Sequence, residues 1–438
     1  MPPGDVAPAA AVRLAASESA RSRARASRSS LKGMSRVSVD SKSEQVFVTA
    51  AIWHAASNMA AAALRFYIYP DAAYDFSAVL ECHPSWIFDD QAAEVAMLNL
   101  LRRHPSRVND PEKASLFVVP LLPYVSNAAG ECMGESHEKR MSRAVVALRH
   151  SPYFKRRYGH DHVLITNTFR VKTFGFWLKP LLGNSTVAWF EQPLLPSGER
   201  RKGVLYSLAF WRCTVLIPYL ANPFCTWQRE AAPEETRRLQ SSASAVRAKR
   251  RARPAGSVFF QGSWAAAHNL RRHFSTLQSM PGAHVHEVPR ECNLAENASQ
   301  PMCVAARLRS TRLHTARGML SHEFCLIPRG DTPTSGRLFA ALACRCVPVI
   351  ISNRFVDHLP FAARGGYDQW TVTVPEGEFL RTPREAIERA ISRARPKLTA
   401  MRAAMEAASG DLLYDVMPSR VADNFLQAFS EQCNAEKQ

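Results

Sequence analysis

The sequence lacks several patterns that would assign a function directly. Neither Gly-x-x-x-x-Gly-Lys nor Gly-x-Gly-x-x-Gly occurs, which excludes a P-loop and a dinucleotide fingerprint. The ten cysteines do not follow zinc-finger spacing. No internal repeat in the solenoid range is present. The neighbouring acids Asp89 and Asp90 are expected to cap a helix, and no Asp-x-Asp lies in a strand context. We therefore expect no metal site.

Long hydrophobic runs are also scarce. Val46–Leu64 comes nearest to a membrane anchor, but His54, Ser57 and Asn58 interrupt it. It falls short of the roughly 18 apolar residues that a spanning helix needs, so an amphipathic or pre-domain helix is the favoured interpretation. Residues 1–62 are rich in Ala, Ser and Arg, and we expect a disordered or targeting segment similar to an organelle transit peptide. A dispensable tail is the alternative.

Basic residues outnumber acidic ones by 56 to 38, giving a net charge of +18 and a pI of about 9.8. Such a chain attracts anionic partners, including nucleic acids, membranes, acidic glycans and nucleotides. The basic run Arg247–Arg253 is typical of a nuclear signal or a solvated loop. No nucleic-acid-reading motif accompanies it, so we expect no nucleic-acid partner and keep a nucleic-acid-binding protein as the less favoured alternative.

The length of 438 residues predicts two domains, since a single core rarely grows so large. Strands alternate with helices, which predicts α/β domains with parallel sheets. We place the first domain at residues 63–240, a basic linker at 241–256, a second domain at 257–410 and a C-terminal helix at 411–438. Predicted strands are Arg65–Tyr69, Leu116–Pro123, His162–Thr166, Val187–Glu191, Val215–Ile217, Val258–Phe260 and Trp370–Val374. Predicted helices are Gln91–Arg103, Met141–Arg149, Leu270–Gln278, Pro383–Arg395 and Leu412–Phe429.

The most informative stretch is Ser321–Phe361, which reads as one βαβ unit. An apolar strand, Phe324–Ile327, is followed by a Pro- and Gly-containing loop, a helix at Arg337–Cys346 and a β-branched strand at Val347–Ser352. A βαβ unit makes its two strands parallel. Ligands of open α/β sheets bind beyond the carboxyl ends of such strands, so the loop is a candidate binding site.

The loop carries groups that suit an anion. Gly330 allows close approach of the backbone, and Ser335 with the free N–H groups of the helix start can hold phosphate oxygens. Arg337 lies at the helix start, and its fork matches a diphosphate. On spacing alone, an anion site and a plainly capped helix are equally supported.

The same stretch resembles the exostosin family of glycosyltransferases (family 47). The shared elements are Cys, apolar, Pro and Gly-Asp, then Ser-x-Arg-Leu-Phe, Cys-x-Pro-Val-Ile-Ile-Ser and Pro-Phe. Weaker similarity continues upstream, in family order, so the resemblance spans Arg65 to about Phe379. The upstream segments are Arg65–Tyr69, Asp110–Pro120, His160–His162 and Phe260–Gly262 with Arg271 and Arg272.

The resemblance implies a GT-B fold, in which two Rossmann-like domains face a cleft. A nucleoside-diphosphate sugar, UDP-linked, would bind the second domain, and a glycan or polysaccharide acceptor the first. No cofactor and no metal would be required, because basic groups and a helix start neutralise the leaving diphosphate. It also implies a Golgi lumenal, membrane-associated enzyme, with the plastid as the alternative. The donor-binding candidates are Gly330, Asp331, Thr334, Ser335, Arg337, Arg271, Arg272 and Glu376.

Family members of this type are taken to invert the anomeric centre, which needs a general base. Asp161, His162 and Glu191 are candidates, and a loop carboxylate or a hydrogen-bonded core histidine is the alternative for each. Two departures from the family pattern, Ala340 and Arg345, bear on donor choice or activity. They keep open a non-catalytic scaffold, or a hetero-oligomer with another glycosyltransferase.

A lumenal protein would allow two further features. Cys292 and Cys303 flank a loop and would pair in an oxidising compartment. Glycosylation sequons begin at Asn184 and Asn297.

Overall fold

The computed structural model describes residues 64–167, 183–190, 212–226, 253–264, 269–287, 301–330 and 333–433. By its contacts the chain divides into Met1–Ala56 and Ser57–Gln438, and every described residue belongs to the second unit. Within that unit the described strands form two parallel sheets of five strands each. We call the part built on the first sheet the first lobe, and the part built on the second sheet the second lobe. The prediction of parallel α/β architecture is confirmed.

The first sheet runs in simple sequence order, β1-β2-β3-β4-β5, and all its described pairings are parallel. β2, β3 and β4 are buried throughout, as expected for a parallel sheet covered on both faces. The strands are β1 (Phe66–Ile68), β2 (Leu116–Val119), β3 (His162–Ile165), β4 (Thr186–Trp189) and β5 (Cys213–Leu216).

Two helices of the first lobe begin at a serine whose side chain accepts a hydrogen bond from a backbone N–H that has no partner within the helix. Ser136 accepts a hydrogen bond from the backbone N–H of Lys139 and so caps α4, and Ser151 caps α5 in the same way. The α-helices of this lobe are α1 (Val79–Cys82), α2 (Ala93–Arg102), α3 (Pro123–Ala129), α4 (His137–His150), α5 (Pro152–Arg157) and α6 (Pro223–Thr226). Short 3-10 segments lie at Pro84–Phe88 and Pro111–Lys113.

The second sheet has a different order, β10-β9-β8-β6-β7. Its first strand, β6, pairs with β7 on one side and with β8 on the other, so the order reverses between β6 and β8. Ligands of doubly wound sheets bind at the carboxyl end of such a reversal. The strands are β6 (Val258–Gly262), β7 (Ala283–Glu287), β8 (Phe324–Pro328), β9 (Val347–Ile351) and β10 (Val372–Val374).

Several elements of the second lobe differ from the sequence-based predictions. Leu270–Gln278 is a 3-10 helix, Asn269–Ser279, and the helices Pro301–Ser321 and Leu398–Leu412 and the strand Ala283–Glu287 were not predicted. The predicted helix Leu412–Phe429 is wrong in its first part, because the helix begins only at Val421; it runs to Gln432 and packs on the first lobe. The remaining α-helices are α7 (Pro301–Ser321), α8 (Arg337–Cys344), α9 (Ala362–Gly365), α10 (Tyr367–Trp370), α11 (Glu376–Arg381), α12 (Pro383–Ala394), α13 (Leu398–Leu412) and α14 (Val421–Gln432). Two more 3-10 segments are Phe355–His358 and Arg395–Lys397.

Eight cysteines of the described residues form four disulfides. Cys213–Cys433 ties the end of α14 to β5, and Cys225–Cys344 joins α6 of the first lobe to α8 of the second. The other two are Cys82–Cys132 and Cys325–Cys346. Disulfides persist in oxidising compartments, so this set fits a secretory or extracellular setting.

Several predictions lie outside the described residues: the segment 1–62, Cys292, the Asn297 sequon and all but the last residue of Arg247–Arg253. Of Val46–Leu64 only Leu64 is described. Among the helices that the structure describes, none is both long enough and apolar enough to cross a membrane. Asn184 is exposed directly before β4.

Candidate active site

The carboxyl edge of the second sheet gathers polar side chains from three adjacent strands. Arg329 follows β8, Asn353 follows β9 and Glu376 follows β10. The Asn353 backbone N–H donates to Glu376 Oε1 over 3.0 Å, and the Glu376 N–H donates to Asn353 Oδ1 over 2.8 Å. Arg329 Nη1 lies 3.7 Å from Glu376 Oε2. Glu376, a predicted donor contact, is therefore held at this edge by two neighbouring strand ends.

The loop between β8 and α8 brings other predicted residues to the same edge. The Gly330 N–H donates to the Thr334 carbonyl over 3.1 Å, which closes the loop on itself. Thr334 and Ser335 are buried directly before the helix. Ser335 Oγ accepts a 3.4 Å hydrogen bond from the Arg337 N–H and so helps to start α8. Asp331, also predicted here, lies outside the described residues.

Arg337 crosses from α8 to the end of β6. Its Nε and Nη2 donate to the Gln261 carbonyl over 3.4 and 3.3 Å, and its guanidinium carbon lies 5.2 Å from the Phe260 ring centroid. A Cβ on Gly262 would overlap the guanidinium. The glycine of the Phe-Gln-Gly segment thus leaves room beside the strand for the Arg337 guanidinium, which a Cβ at this position would overlap.

Electrostatics make this region receptive to an anion. Burial lowers the pKa of the Arg337 guanidinium to about 9, and repulsion from Arg271 adds to the shift, although Asp90 opposes it. The group stays charged at neutral pH, although burial makes that charge costly. Arg271 is itself buried and donates to the carbonyls of Arg329 (3.0 Å) and Ser263 (3.4 Å). A phosphate beside these two arginines would offset part of that cost.

Arg271 and Arg272, two neighbouring candidates, lie in different environments. Arg345, which departs from the family pattern, lies at the amino edge of the sheet. Arg272, next to Arg271, is exposed, so the two arginines do not share an environment. Arg345 ends α8 in a left-handed conformation with φ of 55° and forms an ion pair with Glu406. It precedes β9 and therefore lies at the amino edge of the sheet, away from the predicted ligands. This position offers no direct contact through which Arg345 would change donor choice.

Asp161 and His162 occupy the amino end of β3, opposite to the edge where ligands of parallel sheets bind. His162 is fully buried, with its Nδ1 2.8 Å from Asp161 Oδ1 and its Nε2 2.9 Å from the Tyr69 hydroxyl. Burial lowers the pKa of His162. Hydrogen bonding and charge attraction to His162 outweigh burial, and they lower the pKa of Asp161. This network ties β3 to β1, so the placement disfavours both residues as the base. Glu191 lies outside the described residues.

The carboxyl edge of the first sheet faces the second lobe. The Tyr219 hydroxyl, just after β5, lies 3.0 Å from Thr334 Oγ1. Asp90 Oδ1 lies 3.2 Å from Arg312 Nη2 on α7, and its other oxygen lies against Gly336. Sequence analysis missed Tyr219, Asp90 and Arg312 because only the tertiary fold unites them. Asp89 accepts from the Gln91 N–H over 3.0 Å in the turn before α2, but α2 begins after Ala92 without a side-chain cap, so the predicted helix cap is wrong.

Two carboxyls of the first lobe have raised pKa values. Glu94 is fully buried and accepts hydrogen bonds from the N–H groups of Tyr124 (3.2 Å) and Val125 (2.9 Å) at the start of α3. Burial nevertheless raises its pKa to about 8. Burial and the nearby Asp90 charge raise the pKa of Asp89, whose carboxylate also receives the Tyr124 hydroxyl. Burial therefore favours the protonated form of both acids.

Comparison with known proteins agrees with this arrangement. The model of the exostosin GT47 domain matches residues 60–391. A probable xyloglucan galactosyltransferase of Arabidopsis thaliana is 24% identical over 314 residues, which is 68% of this chain and 65% of the relative. A probable arabinosyltransferase of the same plant is 38% identical over 73 residues, covering 17% of this chain and 16% of the relative. A probable beta-1,4-xylosyltransferase is 23% identical over 303 residues, with 68% and 65% covered.

The longer of these matches thus span slightly less than two thirds of the length of the curated relatives. The family match covers far more than half of this chain and includes both described sheets. It also contains every donor-site candidate identified above. The chain belongs to the exostosin GT47 family of glycosyltransferases.

Proposed function

We propose that this chain is a GT-B glycosyltransferase that transfers a sugar from a UDP-linked donor to a polysaccharide or glycan, with inversion and without a divalent metal. The observation that carries the proposal is the set of basic groups at the β6–β8 reversal of the second sheet. Arg337, Arg271 and the start of α8 converge there, at the position where doubly wound sheets bind nucleotides.

The described residues support a division of tasks at this edge. Arg337 and the N–H groups of the α8 start would hold the leaving diphosphate and stabilise its developing charge. Arg271 would position Arg329 and the β8–α8 loop through the Arg329 carbonyl. Glu376, fixed by Asn353, would accept hydroxyl groups of the donor's ribose or sugar. Because arginines and a helix start supply the positive charge, the leaving group would need no metal.

The acceptor would bind the first lobe, and its hydroxyl would lose a proton to a general base. Among the three candidates we retain Glu191, which lies outside the described residues, because its chain neighbour Phe190 follows β4 at the edge that faces the second lobe. Asp161 and His162 lie at the opposite edge. The names of the relatives, which denote xyloglucan galactosyl-, arabinosyl- and xylosyltransferases, favour a polysaccharide acceptor.

We further propose that the protein works in the Golgi lumen. The four disulfides of the described residues fit an oxidising compartment, and plastid targeting is the alternative that residues 1–62 leave open. Retention of the disulfides after purification under thiol-blocking conditions would support the lumenal location, and fully reduced cysteines would oppose it.

Thermal stabilisation by nucleotides tests the proposal. A ligand at a hundredfold excess over its dissociation constant stabilises the folded state by about 2.7 kcal/mol. We expect a shift with UDP and with one UDP-sugar, and loss of that shift in Arg337→Ala. Arg389→Ala is the matched control, because Arg389 is exposed and pairs only with Glu378 at the surface. A well-folded protein that responds to no nucleotide would instead support a non-catalytic partner of another transferase.

A further inference from the structure

The first lobe places a carboxylate against the start of α8. One oxygen of Asp90 lies so close to Gly336 that a Cβ there would overlap it, and Gly336 directly precedes the helix. The other oxygen lies 3.2 Å from Arg312 Nη2. Arg312 Nε also donates to the Phe88 carbonyl over 2.7 Å, so this arginine holds the Phe88–Asp90 turn against the second lobe. Asp90 is thus aimed at the groups proposed to hold phosphate.

A second group of the first lobe reaches the same loop. The Tyr219 hydroxyl lies 3.0 Å from Thr334 Oγ1, and its ring lies 6.1 Å from the Phe339 ring on α8. The Leu220 N–H donates to the Asp90 carbonyl over 3.0 Å, which joins the two first-lobe segments into one surface. Tyr219 and Asp90 therefore move as a unit relative to α8.

The two ends of α8 are held differently. At its carboxyl end, the Cys225–Cys344 disulfide fixes the helix covalently to the first lobe. At its amino end, the contacts with the first lobe that we identify are the Asp90 carboxylate and the Tyr219 hydroxyl. A helix of eight residues is about 12 Å long, so the covalent contact and the polar contacts lie about that far apart.

A carboxylate beside a helix start is favourable for the same reason that a phosphate is, since both meet the positive end of the helix. The Asp90 charge also acts on the Arg337 guanidinium, and two anions at this place would repel each other strongly. We propose that Asp90, supported by Tyr219, is an internal substitute for the donor's diphosphate, which holds its place beside Arg337 and the start of α8 until a nucleotide displaces it. This inference rests on the proposed function. It makes donor binding open the cleft at the α8 start, so that the acceptor enters after the donor.

The direction in which one substitution changes the affinity for UDP distinguishes this role from a purely structural one. In the full-length protein, Asp90→Asn removes the competing charge and keeps the volume, so UDP and inorganic pyrophosphate should bind roughly three- to tenfold more tightly by titration calorimetry. Asp71→Asn is the matched control, because Asp71 is an exposed acid of the same β1–α2 connection. It should leave both dissociation constants unchanged.

The other outcomes are equally decisive. Unchanged or weaker UDP binding by a folded Asp90→Asn protein would overturn the inference while leaving the proposed function intact. Absence of UDP binding by the wild-type protein would remove the proposed function and this inference with it. If Asp90→Asn does not fold, Tyr219→Phe decides, because it removes the hydroxyl that lies against Thr334 on the same surface. UDP should then bind more tightly than to the wild type, and unchanged or weaker binding would contradict the displacement.

Discussion

The two lobes share one architecture but differ in strand order and in buried charge. Both have five parallel described strands, yet the first sheet runs in sequence order while the second reverses between β6 and β8. Beside that reversal the second lobe places Arg271 and Arg337, whereas the first lobe buries both an arginine, Arg140, and an acid, Glu94. The Arg140 guanidinium already donates to backbone carbonyls of its own lobe, such as that of Ser126. The carboxyl edge of the second sheet, where the strand order reverses, is therefore the better candidate for an anion site.

The Arg337 and Glu94 side chains also differ in which groups would stabilise them. Burial lowers the pKa of Arg337 to about 9, and an incoming phosphate would stabilise its charged form. Glu94 already accepts two backbone N–H groups, and its raised pKa leaves it protonated near neutral pH. The cation therefore favours a ligand, whereas the acid fastens α2 to the start of α3. The following predictions test this contrast.

Removing the disulfide between β5 and α14 should have the largest effect. The Cys213→Ser/Cys433→Ser double variant should lose about 2–5 kcal/mol of stability, because a long loop is no longer closed in the unfolded chain. Denaturant unfolding measures the loss. Since the crosslink belongs to the first lobe, the UDP-induced shift at a temperature where the variant is folded should persist. Its disappearance would mean that the donor site depends on both lobes.

Glu94 should make first-lobe stability fall as pH rises. Its pKa is about 8 in the folded protein against an ordinary value of 4.5, so the folded state holds a proton that the unfolded state releases between those values. Relative to Glu94→Gln, the wild type should lose on the order of 3 kcal/mol between pH 5 and pH 8. Glu388→Gln, at an exposed ion pair, serves as the control. Parallel curves for wild type and Glu94→Gln would show that Glu94 ionises normally.

Gly262→Ala should damage the second lobe locally. The added Cβ would displace the Arg337 guanidinium from its place beside β6, and a flexible side chain can move at little cost in stability. We expect a stability change below about 1 kcal/mol and a loss of UDP affinity of roughly tenfold. Gly377→Ala is the control, because a Cβ there meets its nearest atom at 3.8 Å. Equal effects of the two substitutions on UDP affinity would show that Arg337 does not contribute to donor binding.

Arg345→Gly should have the smallest effect. Glycine relieves the left-handed conformation, and the substitution removes an exposed ion pair with Glu406, so the changes offset each other to within about 0.5 kcal/mol. The UDP response should be unchanged because Arg345 lies at the amino edge of the sheet. An altered nucleotide preference would show that a change at the amino edge of the second sheet affects nucleotide binding at its carboxyl edge.

The sequence contained enough information for the βαβ unit at the donor edge. An apolar strand, a Pro-Gly interruption and a compact apolar helix are local signals, and β8, α8 and β9 formed where they indicated. Glu376 and Arg271 could be placed near this unit because each follows a recognisable strand. The long helix α7 was not predicted, because arginines interrupt the helical spacing of its apolar residues.

The contacts between the two lobes could not be predicted from local sequence patterns. Asp90 and Gly336 are separated by most of the chain, and no pattern around either residue indicates the other. Asp161 and His162 could be placed at a strand start from the sequence, and β3 does begin there. The sequence could not show that the Tyr69 hydroxyl binds His162 Nε2, because only the tertiary fold brings these residues together.

The most direct test of this account is a crystal structure of the full-length protein with UDP. The account predicts the diphosphate at the β6–β8 reversal of the second sheet, within hydrogen-bonding distance of the Arg337 guanidinium and the start of α8, with Asp90 withdrawn from Gly336. UDP bound at the first sheet, or bound to the second lobe without contact to Arg337, would contradict it.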